Sequence, residues 1–172
     1  MLTVNIAQKN HGPSIQKISE RTKVFSKIEL DTVTELWEDF LAKGEASDYS
    51  FLISEENDVI KGFTCFGPHA LTAGAFDIYW IAVDPDYQNQ GVGRALIRRV
   101  EEEVEKRNGN LLILETSSTA QYQPARNFYT RNGFTLEATI HDFYAPEDHL
   151  VIFTKHIRYR TVVHENHLFT EA

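Results

Sequence analysis

Cysteine is nearly absent: the chain has one, Cys65. A single thiol excludes an internal disulfide framework and a multi-cysteine metal site. Long apolar runs are also missing, and no stretch approaches the ~20 residues that a membrane-spanning helix needs. The first residues lack the basic-then-apolar layout of a secretory leader. The expectation is a cytoplasmic protein that does not engage a membrane. Basic charge is in short supply, with 17 Lys and Arg against 25 Asp and Glu and a net charge of −8. The pI of about 5.3 gives no overall footprint for nucleic acid. No internal repeat or low-complexity tract appears. What is there is ordinary for one folded domain: 172 residues, 42% hydrophobic and 12% aromatic.

Read along the chain, the pattern is α/β. The first ~50 residues read as helical. One helix covers residues 14–25. A second carries Val33, Leu36, Trp37, Phe40 and Leu41, with Asp31 as its N-cap and Gly44 as its stop. Residues 49–53 and 59–66 read as a hairpin around Glu55–Asp58, and Gly67-Pro68 breaks the second strand. Residues 76–83 form a nearly continuous apolar strand, buried on both faces and hence central. A helix over 90–107 follows, with Val92, Leu96, Val100 and Val104 four apart. Then come a strand at 111–114, a short helix over 124–132, and strands at 134–144 and 150–157. Residues 158–172 read as a tail or an added edge element, and as the place for a homodimer contact.

The sharpest local signal follows the central strand: Val83-Asp-Pro-Asp-Tyr-Gln-Asn-Gln-Gly-Val-Gly-Arg. Gly91 and Gly93 bare successive backbone N–H groups at the start of a helix. Those groups and the positive helix end make an anion site. Arg94, Arg98 and Arg99 oppose the helix dipole there, which a bound polyanion would offset. Arg98 and Arg99 also have i,i+4 acidic partners, so Arg94 is taken as the ligand contact. The third glycine of a dinucleotide fingerprint is replaced by Leu96, and the Gly-Lys-Ser/Thr of a phosphate loop is missing.

What remains, Gln88-x-x-Gly91-x-Gly93, resembles the signature of the GNAT superfamily of N-acetyltransferases. Downstream, Phe128-Tyr129-x-x-x-Gly133-Phe134 is similar to that family's helix-then-strand stretch, and Ile113-Leu114-Glu115-Thr116 fits the strand before it. The resemblance covers roughly residues 49–157. It implies the GNAT fold: a mixed, mostly antiparallel central sheet with helices on both faces, forming one domain over residues 1–157. It also implies acetyl-CoA as co-substrate, held by Gln88, Asn89, Gln90, Gly91, Val92, Gly93 and Arg94 at its pyrophosphate. Ile81, Ala82 and Val83 would contact its arm through backbone groups where the strand splays from its neighbour.

The same resemblance assigns roles in transfer to a primary amine. Tyr129 is the general acid for the leaving thiolate; as a core tyrosine, its hydroxyl would instead bind backbone. Many members carry an arm-binding asparagine where this chain has Tyr122, so Asn127 or Gln121 is the substitute. Asp77 stands where some members place a base glutamate. Equally, it reads as a strand-end carboxylate bonded to the loop at 72–74. Glu115 is an alternative base or an anchor for the substrate ammonium, and His69 and His141 line the acceptor side. Direct transfer needs no metal and no enzyme nucleophile. His164-Glu-Asn-His167 misses the zinc spacing by one residue.

The expected partner is a small-molecule or peptide amine. Two rival readings stand beside it: a non-catalytic acyl-CoA-binding sensor or scaffold, and an unrelated phosphate-binding enzyme.

Overall fold

The computed structural model describes residues 1–157. The tail at 158–172, the dimer contact expected of it and the His164–His167 pair lie outside the described residues.

Seven strands form one sheet in the order β1-β2-β3-β4-β5-β7-β6. They are β1 (Thr3–Ile6), β2 (Ser50–Glu56), β3 (Val59–Pro68), β4 (Ala75–Val83), β5 (Leu111–Ser117), β6 (Thr135–Ala145) and β7 (Asp148–His156). Every neighbouring pair is antiparallel except β4 with β5. The helices are α1 (Gly12–Thr22), α2 (Lys27–Lys43), α3 (Val92–Lys106) and α4 (Gln123–Arg131). This is the expected mixed, mostly antiparallel sheet.

Helices cover both faces. α3 turns Leu96, Val100 and Val104, all fully buried, onto Phe76, Ile78, Leu112 and Leu114. Burying each such side chain contributes roughly 1.5–3 kcal/mol. On the other face, Ile15 and Ile18 of α1 and Val33 and Trp37 of α2 pack on Phe51, Ile53, Phe63 and Cys65. Burial pushes the Cys65 thiol well up, leaving it a small buried hydrophobe.

The amino-terminal region departs from the sequence reading. Residues 3–6 pair with β2 instead of entering a helix, a segment too short to show a period. The second helix starts at Ser26, not Asp31. Ser26 Oγ accepts from Glu29 N at 3.3 Å, and Glu29 returns a bond to Ser26 N at 2.7 Å. This reciprocal pair satisfies two helix-end donors, and an N-cap inside the helix at Asp31 has none to satisfy. β3 also runs through Gly67 to Pro68 without a break, because both still pair with β4.

Candidate functional site

The central strand changes character half-way. β4 pairs with β5 only from Ala75↔Leu111 to Ile78↔Leu114. Beyond that point β5 continues along β7 through Glu115, Thr116 and Ser117, and β4 continues along β3 up to Val83. The two strands therefore part, and the β5-facing edge of β4 over residues 79–83 has no strand partner among the described residues. A bulge accompanies the parting. Trp80 pairs with Cys65 and Ile78 with Phe66, so Tyr79 is an extra residue. Phe76, Ile78, Ile81 and Val83 face α3, whereas Tyr79, Trp80 and Ala82 face α1 and α2.

The glycine loop sits at the head of this opening. Asn89 (φ 60°) and Gly91 (φ 84°) are both left-handed. Nothing lies within 4 Å of a Cβ built at Gly91; its requirement is conformational. Gly93 is glycine for space, since a Cβ there would lie 2.9 Å from the Phe128 ring. The first bond inside α3 runs from Ala95 N to Gly91 O. The N–H groups of Val92, Gly93 and Arg94 thus have no acceptor within the helix, and no side chain among the described residues caps it. The Val92 side chain is core.

Side chains brace the loop. Gln88 Nε2 donates to Val83 O at 3.3 Å and Gln90 Nε2 to Asp86 O at 3.0 Å. Arg21 of α1 reaches Asp84 at 3.1 Å and Asp86 at 2.7 Å. Arg98 and Arg99 pair with Glu102 and Glu103. Arg94 is exposed and forms no ion pair among the described residues.

Tyr129 lies beside this loop on α4. Its ring packs on Phe128, Phe134 and Phe153, and Phe128 in turn touches Gly93. The residue is 7% exposed, and its hydroxyl has no hydrogen-bond partner among the described residues. The backbone bond of a core tyrosine is not there. Burial holds the phenol well above its ordinary range, and so neutral. Asn127 is exposed and accepts from Gln123 Nε2 at 2.9 Å. Gln121 and Tyr122 turn elsewhere: both donate to Val24 O, at 2.8 and 3.3 Å.

Two carboxylates flank the parting of β4 and β5 on the α1/α2 face. Asp77 is level with Ile113, one residue before the last pair, and Glu115 is the first β5 residue beyond it. Strand spacing and rise put them on the order of 8 Å apart. Asp77 Oδ2 is 2.8 Å from His69 Nδ1, and Thr72 Oγ1 donates to the His69 carbonyl instead of to Asp77. The pair lines a cleft of ≈ 510 Å³ with Asp48, Tyr49 and Tyr79. His141 is not brought to this pair; its exposed ring sits 4.6 Å from that of His149.

Comparison with known proteins fits this geometry. Residues 47–136 match the family model described as an acetyltransferase (GNAT) domain. The chain belongs to the GNAT family. A crystal structure from Desulfovibrio desulfuricans, assigned to the same family, shares 34% identity and a TM-score of 0.88 over 92% of this chain and 100% of that one. The [ribosomal protein bS18]-alanine N-acetyltransferase of Escherichia coli K12 is 46% identical over 69 residues, 40% of this chain and 45% of that protein. The match thus spans less than half the length of that relative. The yncA structure from Salmonella typhimurium, solved with its cofactor acetyl-CoA, shares the fold: TM-score 0.71, 20% identity, 92% of this chain and 95% of that one.

Sequence reasoning missed a second set of residues around Glu115. Tyr122 Oη donates to Glu29 Oε1 at 3.2 Å. Asp148 Oδ1 accepts from Ser117 Oγ at 2.5 Å. Burial first, then Glu115, Asp148 and Glu29, raise the Tyr144 phenol. Glu29 and Asp148 come from distant segments of the chain.

Proposed function

We propose that this chain is a cytoplasmic N-acetyltransferase that moves an acetyl group from acetyl-CoA directly to a primary amine. One observation carries this reading: the unpaired edge of β4 opens beneath a helix start with three free N–H groups, and an unpartnered, neutral tyrosine stands beside it. These residues fit the coenzyme. The Val92, Gly93 and Arg94 N–H groups suit its pyrophosphate, with Gln88, Asn89, Gln90 and Gly91 shaping the turn and Arg94 adding charge. Ile81, Ala82 and Val83 offer backbone groups to an extended arm, and Asn127 reaches it by releasing Gln123. The coenzyme supplies the activated thioester and its own sulfur leaving group.

The rest is done by the chain. The amine gives a proton to a carboxylate, Asp77 with His69 or Glu115, directly or through water. Its nitrogen then bonds the acetyl carbon as the carbon–sulfur bond breaks. Tyr129 donates its hydroxyl proton to the departing sulfur and recovers one from the nitrogen. His69 stands on the acceptor side. The acceptor is a small-molecule or peptide amine; the alanine named for the E. coli relative is an instance of the latter.

Calorimetry with acetyl-CoA tests the reading. Saturable binding is expected, together with thiol release on adding an accepted amine. A protein that does not bind acetyl-CoA refutes it.

A further inference from the structure

The β3–β4 connection carries an imidazole that it does not use for its own closure. Its backbone closes it: His69 N donates to Ala75 O at 2.9 Å, and Asn110 N to Gly74 O at 2.8 Å. Thr72 Oγ1 fastens the inside, donating to His69 O at 2.8 Å and accepting from Ala75 N at 3.3 Å. The His69 ring takes no part in this. Its Nδ1 lies 2.8 Å from Asp77 Oδ2 instead. A carboxylate only accepts, so Nδ1 carries the proton and Nε2 the lone pair. Nε2 has no partner among the described residues.

The pair is set in a cleft that reaches the parting of β4 and β5. The titratable groups lining it beside His69 are Asp77 and Tyr79 of β4, and Asp48 and Tyr49 just before β2; no Lys or Arg lines it. Tyr79 is also the bulge residue, the first beyond the last β4–β5 pair. Gly67 lets the wall stand close, because a Cβ there would run into Asp48 O. Tyr49 meets Tyr79 edge-on at 5.4 Å. The His69 side chain is 46% exposed and that of Asp77 21%. The imidazole is thus the half of the pair that meets solvent and solutes.

We infer that His69 is the catalytic residue that takes the proton from the acceptor amine, and that Asp77 is the positioning residue that fixes its tautomer. This rests on the acetyl-transfer reading and names which group of that site meets the proton. The Nε2 lone pair takes one proton from the acceptor's ammonium. The freed nitrogen bonds the acetyl carbon, the carbon–sulfur bond breaks, and the sulfur takes the Tyr129 proton. Tyr129 regains one from the new amide nitrogen, and the half-exposed ring passes its own to water. A general base works best when it titrates near the working pH, and imidazoles as a class do so more closely than carboxylates. Glu115, the other candidate, is exposed and has no hydrogen-bond or ion-pair partner among the described residues to orient it.

The pH profile of kcat tests this, measured by thiol release with saturating 2-phenylethylamine, 1,4-diaminobutane or L-phenylalaninamide. In the wild type, kcat should fall toward acid with unit slope, and this limb should keep its place when one amine replaces another, because it belongs to the protein. His69→Gln keeps a donor for Asp77 and so spares the fold. It should lower kcat about 100-fold, erase the limb and leave acetyl-CoA affinity unchanged by calorimetry. Asp77→Asn should lower kcat about tenfold and keep the limb. Glu115→Gln should leave the limb in place. A limb that moves with the amine, survives His69→Gln, or is lost with Asp77→Asn or Glu115→Gln overturns the inference. Nitrogen NMR of the histidine rings needs no acceptor. At alkaline pH the His69 signals, identified by their loss in His69→Gln, should show Nδ1 protonated and Nε2 bare. The opposite tautomer overturns the inference, as does a protein that binds acetyl-CoA and acetylates none of the three amines. Failure to bind acetyl-CoA instead overturns the acetyl-transfer reading.

Discussion

The two sides of the β4–β5 opening are built from different materials. The side beneath α3 is made of backbone: N–H groups at a helix start, a left-handed glycine and an unpaired strand edge. The opposite side is made of side chains: Asp77 with His69, Glu115 beyond the last β4–β5 pair, and Tyr122 bonded to Glu29. Backbone recognition needs a local stretch with a fixed shape. Side-chain recognition gathers residues from anywhere the fold brings close. A family with one coenzyme and many acceptors can hold the first constant while exchanging the second.

Substitutions can break this division. The largest effect is expected at their meeting point. Tyr129→Phe should lower kcat about 100-fold while leaving acetyl-CoA affinity unchanged by calorimetry; an unchanged kcat removes the assignment of Tyr129 as acid. Gly93→Ala forces a methyl against Phe128, 2.9 Å from the built position. It should weaken acetyl-CoA binding about tenfold through overpacking and spare the ranking of amines. Tyr122→Phe removes the bonds to Glu29 and Val24 O. One hydroxyl proton is shared between the two acceptors, so its loss, at about 1 kcal/mol, should raise the amine KM several-fold without moving coenzyme affinity. A reversed result would place Tyr122 on the coenzyme arm. Gly91→Ala has space but the wrong dihedral. It should cost about 1 kcal/mol in denaturant unfolding and spare amine selectivity.

The smallest effect at neutral pH concerns phenols on both sides. Tyr79, Tyr122 and Tyr129 are all raised, chiefly by burial. A raised acid binds its proton more tightly in the folded state. Their contribution is therefore complete below the unfolded tyrosine pKa of about 10 and is lost as pH rises above it. Ultraviolet phenolate titration should show these tyrosines lagging until alkaline unfolding. Full titration near pH 10 in the folded protein would contradict their burial.

Legibility followed the same division. Gln88-x-x-Gly91-x-Gly93 was readable because each glycine answers a local demand, one for a dihedral and one for space. The central strand was readable from its nearly continuous apolar run, which only Asp77 interrupts. β1 was read as helix because four residues carry no usable period, and its pairing partner lies some fifty positions away. The α2 start was misplaced because Asp31 suits a cap by residue type, whereas the Ser26–Glu29 pair suits it by geometry. Glu29 and Asp148 left no local trace, since their bonds to Tyr122 and Ser117 exist only after the sheet forms. Asp77 and Glu115 were found singly, but their shared face follows from strand register.

The bulge at Tyr79 has a consequence for how such a protein can change. A strand normally commits odd and even positions to fixed faces along its whole length. One extra residue puts the two ends of β4 out of phase. Residues before it deliver Asp77 to the α1/α2 face, and residues after it return Ile81 and Val83 to the α3 face. Trp80 falls at the changeover. Variation can therefore change the side chains of one face at one end of β4 without disturbing the backbone edge at the other, although both ends share a single run of nine residues.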